Sequence, residues 1–302
     1  MKEIVAKPFV KWVGGKTQLL EEVRRSLPND LHMRTDVVYV EPFVGGGAVL
    51  FWILQAYPNI TKAIINDVNV ELICTYNVIK NQVDALIELL NSIQSQYIPL
   101  DEVSRKKYYL EKRMLYNAKR TTDLETAALF IFLNRTCFNG LYRVNSKGEF
   151  NVPHGKYANP KICDRENLIA VSQLLQKVDI YCGDFSDMER FANSNSIYYL
   201  DPPYKPLSDT SSFTSYSKSG FDDEEQIRLR DFCTRISLRQ SVFIASNSDS
   251  LDDSGDSFFE KLYNCFNIKR VYATRLINAN PNNRGFVSEI MISNVGNVYE
   301  GF

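Results

Sequence analysis

The sequence predicts an α/β fold, a Rossmann-like and mostly parallel sheet that carries an inserted helical and hairpin module. Three observations predict it. Val37-Val38-Tyr39-Val40 runs into Glu41-Pro42-Phe43-Val44-Gly45-Gly46-Gly47, Ala48 to Ala56 has helical composition, and Ala63-Ile64-Ile65 runs into Asn66-Asp67. That is a strand, glycine turn, helix, strand and terminal acid in register, the opening of a parallel sheet. A second buried run, Ile197-Tyr198-Tyr199-Leu200, ends in Asp201-Pro202-Pro203-Tyr204. Further helical segments and apolar strand segments follow to the end of the chain.

After the first unit, helices are expected over 70–79, 83–95, 104–118 and 124–134, then over 165–175 and 224–237. Later strands are expected over 178–182, 197–200, 242–246, 268–274 and 287–293. Helix-rich sequence from about 76 to 135 interrupts the alternation. Behind it Asn145-Ser146-Lys147-Gly148 separates Leu141-Tyr142-Arg143-Val144 from Glu149-Phe150-Asn151-Val152, which predicts a β-hairpin with a glycine turn. The organisation expected is a catalytic domain of residues 1–75 and 158–302 with an insertion of 76–157. The polar stretch 207–220, with isolated aromatics Phe213 and Tyr216, reads as a mobile loop over the site.

Composition sets bounds on function. A 302-residue chain with 44% hydrophobic residues can bury one large core or two smaller ones. No apolar run approaches the ~20 residues of a membrane-spanning helix, and Met1-Lys2-Glu3 begins no signal peptide. A cytoplasmic protein without membrane contact is expected. The six cysteines form no C-x-x-C pair and only two histidines are present, so no metal site is expected. No cysteine follows a proline, which argues against the Pro-Cys nucleophile that methylation of a cytosine carbon would need. Net charge is −1, yet basic residues dominate one segment: Arg105, Lys106, Lys107, Lys112, Arg113, Lys119, Arg120, Arg135, Arg143, Lys147, Lys156 and Lys161. Acids dominate from Asp222 to Glu260. A local basic patch on a neutral body suits phosphate contact.

The glycine turn lets a backbone approach a ligand closely, and Asp67 follows ~20 residues on, where an acid accepts hydrogen bonds from ribose hydroxyls. The turn is not G-x-G-x-x-G, and no basic residue stands near it to meet a pyrophosphate. A ribose-bearing ligand without phosphates fits, and S-adenosylmethionine is one. Val13-Gly14-Gly15-Lys16-Thr17 lacks the glycine that a P-loop requires at position 10, where Val10 stands. The end of the Ile197–Leu200 strand is where open α/β sheets bind ligands. Two prolines there fix φ and direct the carbonyls, so Asp201 and the Pro202 carbonyl become acceptors beside the Tyr204 ring. Such a slot suits a planar ring with an exocyclic amine, such as a nucleobase.

With these motifs in this order the chain resembles the Dam-type (class alpha) DNA adenine-N6 methyltransferases, in particular the subgroup that methylates GATC. Lys11-Trp12-Val13-Gly14-Gly15-Lys16 is similar to that family's N-terminal signature, Glu41 to Gly47 to its cofactor turn, and Asn66-Asp67-Val68-Asn69 to its ribose segment. Asn134-Arg135, Phe138-Asn139-Gly140-Leu141-Tyr142-Arg143 and Gly148 to Pro153 resemble its DNA-reading hairpin. Asp201 to Tyr204, with Pro206-Leu207-Ser208 and Phe213-Thr214-x-Tyr216, resembles its catalytic motif and loop. The resemblance implies a seven-stranded sheet with one antiparallel strand and an insertion that reads DNA. It also implies roles. Asp201, Pro202, Pro203 and Tyr204 would be catalytic. Trp12, Gly14, Lys16, Glu41, Pro42, Phe43, Gly45, Asp67, Asp184, Phe185 and Asp201 would bind S-adenosylmethionine. Lys11, Arg135, Phe138, Asn139, Leu141, Arg143, Pro153 and Tyr157 would bind double-stranded DNA, Lys11 and Arg143 at guanines. Phe138 departs from the tyrosine common in relatives and keeps the stacking face.

The reaction expected is methyl transfer to N6 of a flipped adenine, by a monomer or a weak dimer on DNA, in a restriction-modification, regulatory or phage setting. Cytosine N4 methylation goes with Ser at the first motif position, and RNA or protein-glutamine methylation with Asn, so Asp201 favours adenine. N6 methylation of another short DNA site remains an alternative, as does a non-catalytic DNA-binding protein on the same fold.

Overall fold

The computed structural model describes residues 5–12, 14, 19–204, 221–249, 258–274 and 286–296. Lys16 and the expected loop over 207–220 lie outside the described residues. In chain order the elements are α1 (Leu20–Ser26), β1 (Val38–Glu41), α2 (Ala48–Ala56), β2 (Lys62–Asp67), α3 (Val70–Asn81), α4 (Val83–Tyr97), α5 (Glu102–Asn117) and α6 (Asp123–Thr136). There follow α7 (Arg165–Leu175), β3 (Val178–Cys182), β4 (Ser196–Leu200), α8 (Asp223–Leu238), β5 (Val242–Ser248), α9 (Phe258–Leu262), β6 (Asn267–Thr274) and β7 (Phe286–Ser293). The short helices α1 and α9 are not among the elements expected from the sequence.

The strands form a seven-stranded sheet of order β3-β2-β1-β4-β5-β7-β6. β1 pairs with β4, and β4 with β5, in parallel. β7 lies antiparallel between β5 and β6. All five residues of β4 are buried, as expected of a parallel strand covered on both faces.

The chain divides into two compact units, Met1–Gly15 with Val44–Ala56 and Ile65–Gly183, and Lys16–Phe43 with Tyr57–Ile64 and Asp184–Phe302. These bounds are not the ones drawn from the sequence, although residues 76–157 fall wholly in the first. Within that first unit α6 is nearly encased: Ala127 to Asn134 and Thr136 are all buried. It packs against α3, α4 and α5. Tyr97, Tyr109 and Phe132 fill the centre. In the second unit α8 packs on β5, and Tyr198, Phe232, Phe243 and Tyr263 lie fully buried.

The expected hairpin differs. The chain does reverse at 145–148, where the Asn145 and Gly148 amides donate to Glu149 and Asn145 carbonyls at 2.9 Å each. Its ladder is a single bridge, Val144 to Phe150. The ladder stops because Pro153 has no amide to extend it, the Pro153 carbonyl accepts the Phe138 amide at 2.8 Å and the Leu141 amide goes to the Phe138 carbonyl at 3.3 Å, while α5 side chains bind the outward-facing edge. Asn117 accepts from the Phe150 amide at 2.9 Å and donates to the Phe150 carbonyl at 3.0 Å, while the Tyr109 hydroxyl donates to the Val152 carbonyl at 2.8 Å.

At the start of α6, the Thr122 hydroxyl accepts the Glu125 amide at 3.3 Å and the Glu125 carboxylate accepts the Thr122 amide at 2.9 Å, a reciprocal cap. Thr122→Ala is expected to cost about 1 kcal/mol, read as a lower urea midpoint at unchanged slope.

Candidate active site and nucleic-acid interface

In the first unit the glycine turn and Asp67 meet. The Asp67 carboxylate accepts the Gly45 amide at 3.0 Å and the Asn69 amide at 2.9 Å. Burial pushes its carboxyl up, and these amide donors together with Val68 pull it back. Gly45 needs to be glycine twice over. Its φ is +47°, and a Cβ would stand 2.8 Å from Trp12 Cδ1. Tyr76 closes the turn from behind, its hydroxyl donating to the Gly45 carbonyl at 3.0 Å. The Trp12 ring stacks on Tyr142, with centroids 5.5 Å apart. Tyr142 carries no role in the sequence reading. Gly14 is exposed, and Lys16 lies outside the described residues.

The DNA-binding candidates of the same unit gather around the end of α6. Lys11, Phe138, Asn139, Arg143 and Pro153 are exposed, and Leu141 and Tyr157 are half-buried. Phe138, at 51% exposure, is a large ring standing in solvent at a tight turn. Asn139 takes φ 55°, the left-handed region. The Lys11 ammonium sits over the Tyr157 ring, 4.7 Å from its centroid. Arg143 Nε donates to Asn151 Oδ1 at 2.8 Å. Arg135 is placed differently: half-buried, it donates from Nη2 to the Phe9 carbonyl at 2.8 Å. Sequence reasoning gave Asn134 no individual role. Buried at 2% exposure, it exchanges two 2.8 Å hydrogen bonds with the Lys11 backbone and donates to the Gly140 carbonyl at 3.0 Å. It therefore ties the Lys11 segment to the Phe138–Gly140 turn.

The second unit holds the remaining candidates: Glu41, Pro42 and Phe43 at the end of β1, Asp184 and Phe185 in the segment that follows β3, and Asp201 to Tyr204 after β4. Glu41 closes β1 and is buried, accepting the Tyr39 hydroxyl at 2.6 Å. Pro42 is buried beside it, and Phe43 packs on Phe185 with centroids 5.2 Å apart. Phe221 joins both rings. Arg228 covers Phe185 at 4.5 Å and pairs with Asp184. Burial pushes the Asp184 carboxyl up, but the Arg228 guanidinium and the Ser186 hydroxyl and amide outweigh it and hold it low. Phe221 and Arg228 carried no motif signal; an Arg on a helix far from Asp184 in sequence gives none.

After β4, Asp201 accepts the Ser246 hydroxyl at 3.0 Å. Pro202 is buried and Pro203 exposed, and the Tyr204 hydroxyl donates to Glu289 at 2.6 Å. Ser246 and Glu289 also escaped the sequence reading.

Residues 12–277 match the family model described as D12 class N6 adenine-specific DNA methyltransferase. Among curated relatives, the Type II methyltransferase M.MjaIII of Methanocaldococcus jannaschii is 49% identical, across 95% of this chain and 99% of its own. The Type II methyltransferase M1.LlaDCHI of Lactococcus lactis subsp. cremoris is 40% identical, across 98% of each. The DNA adenine methylase of Haemophilus influenzae is 35% identical, across 94% of this chain and 92% of its own.

Gly45→Ala forces a side chain into the left-handed region and against the indole, so it is expected to cost at least about 1–2 kcal/mol. Thermal unfolding measures the loss, and tryptophan fluorescence should report the displaced Trp12 ring.

Proposed function

Because this chain belongs to the D12 class of N6 adenine-specific DNA methyltransferases, we propose that it methylates an adenine swung out of double-stranded DNA, within the site GATC. Its donor is S-adenosylmethionine, which supplies an electrophilic methyl group on a sulfonium. The residues present suit that donor. Asp67 is an acceptor for a ribose diol, the aromatic pair Phe43 and Phe185 suits a purine, and the glycine turn has no basic side chain for phosphate. By the family resemblance Trp12, Gly14, Lys16, Glu41, Pro42 and Asp184 complete the set.

The observation that carries the reading is the Asp201-Pro202-Pro203-Tyr204 segment at the end of a fully buried strand. An adenine amine is a poor nucleophile because its lone pair is conjugated into the ring. Asp201 and the Pro202 carbonyl accept its two hydrogens, which turns the lone pair out of the ring plane. The carboxylate also favours the positive charge growing on nitrogen. Tyr204 stacks on the base. An adenine within a duplex cannot reach such a segment, so it leaves the stack first. The exposed Phe138 ring, with Asn139 and Leu141, suits the task of filling or prying the gap. Lys11 and Arg143 read the guanines, Arg143 by paired bonds to O6 and N7, with Tyr157 and Pro153 lining the same surface. Arg135 acts from behind, through the Phe9 carbonyl.

On this reading residues 76–157 are the target-recognition module, and the enzyme works in the cytoplasm as a monomer or weak dimer on DNA. Among the described residues no helix is long and apolar enough to cross a membrane. Two relatives named as Type II methyltransferases support a restriction-modification setting.

Expression in a methylation-free host, followed by sequencing of methylated positions, is expected to return N6-methyladenine in GATC; another motif would overturn the site. Asp201→Ala is expected to abolish transfer while DNA binding persists in a gel-shift assay. Arg143→Ala should lose discrimination at one guanine by about 1–3 kcal/mol; equal loss on every sequence would make it a phosphate clamp.

A further inference from the structure

The Asp201–Tyr204 segment is held at both ends by groups that no motif marks. Strand register puts Tyr39 and Glu41 of β1 on one face with Ile197 and Tyr199 of β4. The same face continues through Ile244, Ser246 and Ser248 of β5 to Met291 and Glu289 of β7. Asp201 extends β4 by one residue on that face. Its carboxylate therefore shares a surface with two other acids, Glu41 and Glu289, and with the phenols of Tyr39 and Tyr199.

Each acid on this face receives a hydroxyl. Tyr39 donates to Glu41 at 2.6 Å and Tyr204 donates to Glu289 at 2.6 Å. Ser246 Oγ lies 3.0 Å from Asp201 Oδ1 and 3.2 Å from the Tyr199 hydroxyl. The Ser246 proton goes to the carboxylate, so Tyr199 is the donor to Ser246, and the three groups form one chain pointing at Asp201. Burial and then the neighbouring carboxylates push the Tyr39 and Tyr199 phenols up, so both keep their protons.

The prolines fix the backbone between Asp201 and Tyr204, but leave the side-chain torsions of those two residues open. We propose that Ser246 and Glu289 are positioning residues: Ser246, backed by Tyr199, sets the rotation of the Asp201 carboxylate, and Glu289 sets the tilt of the Tyr204 ring. This inference rests on the reading of Asp201 and Tyr204 as the groups that hold the target amine and base. Transfer requires the amine hydrogens to meet an acceptor in one orientation and the base to lie flat in one plane. A carboxylate free to rotate, or a ring free to tilt, satisfies both only part of the time. β5 and β7 thereby act on the chemistry although they lend it no reacting atom.

The test is single-turnover methyl transfer to unmethylated duplex DNA, with DNA and S-adenosylmethionine affinities measured on the same proteins. Ser246→Ala and Tyr199→Phe are expected to slow transfer about tenfold or more, with both affinities within about twofold of the parent. Glu289→Gln keeps an acceptor for the Tyr204 hydroxyl and should stay near the parent rate. Glu289→Ala and Tyr204→Phe should each slow transfer, and the double variant should be no slower than the slower single one. Parent-like rates in Ser246→Ala and Glu289→Ala, while Asp201→Ala is inactive, would overturn the inference and leave the catalytic reading standing. Additive losses, or losses of binding in step with falling melting temperature, would likewise overturn it, since these mark a purely structural tie. A normal rate in Asp201→Ala would instead overturn the catalytic reading on which the inference rests.

Discussion

The constraint behind this site is that a strand buried on both faces can present polar chemistry only where it ends. β4 is buried throughout, and its first ionisable group past the phenols is Asp201. β1 repeats the arrangement with Glu41 as its last residue. A carboxylate drawn from water at such a place must be hydrogen-bonded or it costs several kcal/mol. The second unit meets that demand with hydroxyls that keep their protons, Tyr39 for Glu41 and the Tyr199–Ser246 chain for Asp201. Satisfying the buried charge and fixing its orientation are the same act.

The first unit solves the same problem with backbone. Asp67 accepts amides from Gly45 and Asn69, so the acid that ends β2 also pins the turn that follows β1. The turn can lie that close only because Gly45 and Gly47 adopt positive φ and lack side chains that would strike Trp12 and Tyr76. An α3 cap completes the join, Asn69 Oδ1 accepting the Leu72 amide at 2.8 Å. Strand end, glycine turn and helix start are one hydrogen-bonded piece.

Much of this was legible in the sequence, for reasons of range. α2, α7 and β3 have the bounds that composition and periodicity predict, because their signals are local and uninterrupted. The order of glycine turn and acid, and the Asp-Pro-Pro-Tyr segment, are also local patterns. What escaped is contact between residues far apart in sequence. Ser246 meets Asp201 across 45 positions and Glu289 meets Tyr204 across 85. A lone serine in an apolar strand and a lone glutamate in another carry no signal of a partner. The hairpin closes but pairs over one bridge only: alternation and a glycine turn argue for longer strands, but Pro153 brings no amide to extend the ladder and its carbonyl accepts the Phe138 amide. Arg135 read as a surface base because charge is visible in a sequence and burial is not.

The two ways of holding an acid have different consequences for change. Asp67 is held by main-chain amides, which every residue but proline supplies, so substitutions nearby alter it only by moving the backbone. Asp201 and Tyr204 are held by side chains, Ser246 and Glu289, each of which a single substitution can remove. On the roles proposed for them, the groups after β4 are therefore the more readily altered and the Asp67 turn the more tightly built, with the turn after α6 between them. Lys11 reaches solvent from a segment whose backbone is fixed by the buried Asn134 side chain, which also grips the Gly140 carbonyl. The bonds from Asn134 end on main chain, so the exposed side chains of Lys11, Phe138 and Asn139 can change while the backbone that carries them stays in place.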